Sequence, residues 1–130
     1  MPERRLAEEL LAVAKTDLRA AAAMRDGLLF PDEIFGFHAQ QAVEKALKAW
    51  LSLLDLEYRR IHDLDELFEM IAETGESIST SFRTLSELTP FAVQFRYDTA
   101  ALSQGELNRS DLVLRIAGLI DHVDKLTSRK

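Results

Sequence analysis

The stretch from Phe35 to Leu54 constrains this chain most, because apolar residues wrap more than half of the way around it. At about 100° per residue, Phe35, Ala39, Ala42, Ala46, Ala49, Trp50 and Leu53 fall on one side, with Val43, Leu47, Leu51 and Leu54 beside them. The arc spans about 200° of a helical wheel, wider than the stripe of a helix lying on a protein surface. Such a helix needs neighbours on several sides, which makes it the expected centre of a helical bundle. Pro31 and Asp32 mark its start, since proline is tolerated in a first turn and early acids suit the positive end of the helix dipole. Its alanines let a neighbouring helix approach closely.

The rest of the chain supplies the neighbours. Leu6, Leu10, Val13, Ala14, Leu18 and Ala21 recur at spacings of three and four, predicting a first helix from Pro2 to about Met24 that stops at Asp26 and Gly27. A polar linker from Glu57 to Arg60 leads to His62 and Asp63, either of which caps a short helix carrying Leu64, Leu67, Phe68 and Ile71 before Gly75 ends it. Phe82, Leu85 and Leu88 predict a fourth helical segment from about Ser79, kinked or restarted by Pro90 before Phe91 to Tyr97. After a polar loop, Leu112, Ile116, Leu119, Ile120 and Val123 form the stripe of a last helix from about Arg109 to Leu126. The expected fold is all-α: one domain over residues 1–130, an up-and-down four-helix bundle with an additional short helix.

Composition narrows the function. Only five glycines and three prolines punctuate 130 residues, which fits few, long helices. The net charge of -6 argues against tight, non-specific binding to DNA, which runs on clustered Lys and Arg, but leaves a local basic groove open. Without cysteine there is neither a disulfide framework nor a thiolate metal site. No two of the three histidines lie four residues apart on a helix, so no metal or other cofactor is expected. MPERRLAEEL lacks the apolar core of a signal peptide, and no run reaches the roughly eighteen apolar residues of a membrane span, so a cytoplasmic location is expected. Gly-rich phosphate loops, GxSxG elbows and HExxH motifs are absent from the chain.

Two constellations carry possible chemistry. His38, Gln41, Lys45 and Lys48, with Glu44 at their edge, stack along the polar ridge of the central helix and can converge on one phosphate or ribose, Glu44 serving to orient an Arg from another helix. The competing reading is a solvated face that keeps the helix soluble. Arg96 and Tyr97 follow the aromatic Phe91 and Phe95, where Arg can clamp a phosphate and Tyr can stack on a base. Their competing reading is an ion pair and core filling. His62 reads as a cap or turn residue.

The run FHAQQAVEKALKAW from Phe37 to Trp50, the stretch RIHDL from Arg60 to Leu64 and the later Arg96-Tyr97 resemble, in that order and spacing, the small prokaryotic HEPN domain. The resemblance implies a helical homodimer encoded beside a minimal nucleotidyltransferase, as in toxin-antitoxin modules, and binding of a nucleotide or RNA through the ridge and Arg96. Active ribonucleases of the family use an Arg with a His a short distance downstream, without metal. Arg96 is the natural candidate for that Arg, but Ala101, Leu102 and Ser103 hold the positions where the His would sit. Arg115 and His122, with six residues between them, also satisfy the spacing. The expectation is therefore a binding domain with a degenerate nuclease motif; a metal-independent endoribonuclease toxin and a purely structural interaction module are the alternatives.

Overall fold

The computed structural model describes residues 2–58, 60–92 and 107–129. In chain order it has α1 (Pro2–Ala23), α2 (Asp32–Leu53), α3 (Leu64–Ala72), the single-turn α4 (Thr80–Arg83), a 3-10 helix (Thr84–Ala92) and α5 (Arg109–Arg129). There is no strand among the described residues. The α2 helix touches α1, α3, the 3-10 helix and α5, and α1 also packs on α5. Its apolar arc is what makes this possible: Phe35, Ala39, Ala42, Val43, Ala46, Leu47, Ala49, Trp50 and Leu51 are buried on all sides.

The broadest contact is between α1 and α2. It is built on alanine, with Ala7, Ala14 and Ala21 of α1 and Ala39, Ala42, Ala46 and Ala49 of α2 all fully buried. This shifts the stripe expected for α1. Leu6 and Val13 remain 43% and 46% exposed, while Ala7 and Leu11 are buried in their place. Each exposed residue stands next to a buried alanine or leucine, about 100° around the helix. Close approach to the alanine face of α2 selects the small side chains for the contact line and turns the bulkier ones to its flank.

The fourth helical segment takes a different form from that expected. After one α turn, the backbone tightens at Thr84 into a 3-10 helix that contains Pro90. Residues three apart eclipse one another in a 3-10 helix, so Leu85, Leu88 and Phe91 form one buried row. Phe91 rests on α2 at Gly36, where an added Cβ would lie only 2.2 Å from its ring.

Local devices fix the connections. Arg109, 8% exposed, donates to the carbonyls of Met24 and Phe30 and to the Asp32 carboxylate at 2.7–2.8 Å, binding the α1–α2 turn to the start of α5. Helix α2 ends with Asp55 in the left-handed region at φ 59, while Leu56 N–H donates to Leu51 carbonyl at 3.0 Å. This is a Schellman termination in which aspartate holds the position usually given to glycine. Asp63 caps α3 by accepting from Asp65 N–H, which leaves His62 free for another role. Gly75, at φ 91, ends the turn after α3.

Candidate functional site: a buried carboxylate on the central helix

The polar ridge of α2 is largely folded into the protein. Gln40 is fully buried, Glu44 is 1% exposed and Lys48 9% exposed. Burying an ionised carboxylate is costly unless its lone pairs are filled. Here they are filled from two elements. Glu44 Oε1 accepts from Gln40 Nε2 and from His62 Nδ1, each at 2.9 Å, and Oε2 accepts from Lys48 Nζ at 3.0 Å with Lys45 Nζ at 3.6 Å. Burial alone would push the Glu44 carboxyl up. The hydrogen bonds from Gln40, His62 and Lys48 and the charge of Lys48 outweigh it and hold the group below the ordinary glutamate value.

The network extends along the ridge and across to the linker. Lys45 Nζ donates to Gln41 Oε1 at 2.9 Å, and Gln41 Nε2 donates to Gln40 Oε1 at 2.7 Å. Gln40 Nε2 also reaches the His62 carbonyl at 3.4 Å, so side chain and backbone of His62 are both tied to α2. Lys48 lies over the Tyr58 ring, 5.6 Å from its centroid. The result is one carboxylate against two ammonium groups, with local positive charge in a chain of negative net charge. Exposure grades outward, from 11% for the Lys48 side chain through 24% for Lys45 to 60% for His62.

Gln41, Glu44, Lys45 and Lys48 are thus brought together, and His38 is not. His38 Nδ1 lies 3.0 Å from Asp17 Oδ1 of α1, apart from the Glu44 network. Among the described residues the partners of Glu44 are Gln40, Lys45, Lys48 and His62 rather than an Arg from another helix. Sequence reasoning missed Gln40 and His62. Gln40 was hidden because polar residues inside an apolar arc look like interruptions; His62 because nothing in its spacing says that the linker folds back over α2.

Arg96 and Tyr97 lie outside the described residues, as do the positions Ala101 to Ser103. Arg115 and His122 share one side of α5 but serve separate neighbours. Arg115 donates to Asp111 at 2.9 Å and Thr84 Oγ1 at 2.7 Å, and also faces Glu87 at 3.7 Å, stapling α5 to the 3-10 helix. The His122 ring packs on Trp50 and Phe82, with centroids 4.9 and 5.9 Å away. No group of three or more potential metal ligands occurs among the described residues. No helix among them is long and apolar enough to cross a membrane.

A family model for the HEPN domain matches residues 7–121, from the first turns of α1 to the last turns of α5. No curated protein and no solved structure matches the chain. The match covers nearly the whole helical architecture, including α2 with its Glu44 network and the linker that closes over it, and so this chain belongs to the HEPN domain family.

Proposed function

We propose that this HEPN protein is a nucleotide- or RNA-binding homodimer acting with a nucleotidyltransferase partner in a toxin-antitoxin-like module, with a degenerate nuclease motif. The observation that carries the binding reading is the surplus of positive charge on the α2 ridge: Lys45 and Lys48 share a single buried carboxylate, and Lys45 still reaches solvent. Ammonium groups held in place by Gln41 and Glu44 are ready partners for a phosphate, because their geometry is set before the ligand arrives. Arg96 and Tyr97, outside the described residues, are the further ligand contacts that the resemblance to the family implies. Exposed Leu28, Leu29 and Leu114, at 97%, 71% and 70%, support the dimer reading as apolar surface that a second copy would remove from water.

Titration with nucleotides and short RNAs tests the proposal. Binding is expected to weaken as salt rises and to fall about tenfold on Lys45→Ala or Arg96→Ala, the worth of one charge-assisted hydrogen bond. Affinity indifferent to both substitutions would sink it. Incubation with structured RNA in EDTA tests the nuclease alternative, and no cleavage is expected, since no His follows Arg96 at the required distance.

A further inference from the structure

Leu6 of α1 is turned away from the core, and the place it is turned to is a cleft. The side chain is 43% exposed and forms part of the wall of a cavity of about 560 Å³ where the start of α1 meets the end of α2. Leu56 and Tyr58 add to a lining that is mostly apolar, and the Ser52 hydroxyl, 3.4 Å from the Tyr58 hydroxyl, completes it on the α2 side. The termination of α2 sets this shape. Asp55 N–H donates to Ser52 carbonyl and Leu56 N–H to Leu51 carbonyl, each at 3.0 Å, which turns the chain back beside the helix end. The volume falls within the range of about 300–1,000 Å³ typical of ligand sites.

The charged residues lining the cleft are all acids: Glu3, Asp55 and Glu57. None of the three carboxylates has an ion-pair or hydrogen-bond partner among the described residues. Lys48 lies nearby over the Tyr58 ring, but its charge is taken by Glu44 at 3.0 Å. Asp55 keeps its carboxylate at the cleft from a backbone position, φ 59, that glycine would fill with less strain.

Apolar walls beside unpaired carboxylates are complementary to a cation on an apolar stem, the form of a lysine or arginine side chain. An apolar residue in the same segment would cover Leu6 and Leu56. The cleft is also open, since Asp55 and Glu57 are exposed. A small molecule there would stay largely in water, whereas a protein segment brings surface of its own to close the cleft.

We propose that this cleft docks a basic amphipathic segment of a partner protein, its apolar side chain against Leu6 and Leu56 and its Lys or Arg against Glu3, Asp55 and Glu57. The inference does not rest on the nucleotide-binding reading and does not require the partner to be a nucleotidyltransferase.

The test titrates the full chain with a short peptide of alternating leucine and lysine, with oligolysine of equal charge and with spermidine, following amide NMR shifts. The mixed peptide is expected to bind about tenfold more tightly than oligolysine, the worth of partly burying a leucine, and to shift the amides around Leu6 and from Ser52 to Tyr58. Asp55→Asn combined with Glu57→Gln should weaken it about tenfold, the worth of two exposed ion pairs, and asparagine keeps the left-handed termination intact. Leu6→Ala should bring the mixed peptide down to the affinity of oligolysine. Equal affinity of mixed peptide and oligolysine for the native chain would mean charge attraction alone and overturns the inference. Spermidine binding as tightly as the mixed peptide assigns the cleft to a free polyamine and overturns it too. So does binding that survives the carboxylate substitutions, shifts that map elsewhere, or no binding of any probe.

Discussion

Glu44 keeps its charge in the interior because three donors, Gln40, Lys48 and His62, bond to it and the Lys45 ammonium lies beside it, and that makes its ionisation part of the fold. Its carboxyl lies lower in the folded chain than the unfolded value of about 4.3, so the stabilisation is fully present above that pH. It is lost as pH falls through the lower, folded value. Glu44→Gln is expected to cost about 2 kcal/mol near neutral pH, the order of a charge-assisted hydrogen bond. Urea denaturation should show the gap between native chain and variant narrowing only below about pH 4; a gap that stays constant into that range would mean the carboxylate is not the group responsible. Little of this could be read from the sequence. The spacing of Gln41, Glu44, Lys45 and Lys48 put them on one ridge, but burial of Glu44 depends on the linker around His62 folding over it, and no local pattern encodes that closure.

At the scale of elements, two packing choices decide the architecture. The α1 helix meets α2 through Ala7, Leu11 and Ala14 rather than through Leu6 and Val13. Leu11→Ala should therefore cost about 2–5 kcal/mol as a core cavity, while Leu6→Ala stays below about 1 kcal/mol. Thermal or urea unfolding of the two variants measures the rotation of α1 directly, and equal losses would contradict the register described. The second choice is the contact of the 3-10 helix with α2. Gly36→Ala would raise helix propensity by about 1 kcal/mol, but the new methyl meets the Phe91 ring at 2.2–2.6 Å. The clash is expected to win, giving a net loss of about 1–3 kcal/mol. Gly36→Ala combined with Phe91→Ala should restore the propensity gain relative to Phe91→Ala alone. The existence and approximate limits of α1, α2, α3 and α5 were legible in the sequence because long apolar periods and breakers mark them. The 3-10 geometry was not, since Leu85 and Leu88 at a spacing of three suit either helix type until Phe91 and Pro90 are placed against α2.

At the scale of the whole molecule, α2 organises both stability and the proposed function. One side of it forms the centre of the core, and the other holds the Glu44 network. A ligand on the ridge would thus bear on the most buried helix of the bundle, and saturating nucleotide should raise the unfolding temperature in proportion to the logarithm of its concentration. Sedimentation of the purified chain is expected to give a dimer that weakens on Leu28→Asp combined with Leu29→Asp. A monomer at every concentration would remove the homodimer from the proposal.

The sequence by itself determined that the chain is helical and that α2 is its centre, because each depends on residue spacing within a continuous stretch, and that the family is HEPN, because that rests on residue types and their order along the chain. Only the tertiary structure decided which face of α1 enters the core, how the segment around Pro90 is wound and which side chains join the site. Those outcomes depend on contacts between segments distant in the chain, among them His62 with Glu44, Phe91 with Gly36 and Arg109 with Asp32. Helical periodicity gives the direction of a side chain around its own axis, and the position of the neighbouring axis determines what that side chain meets.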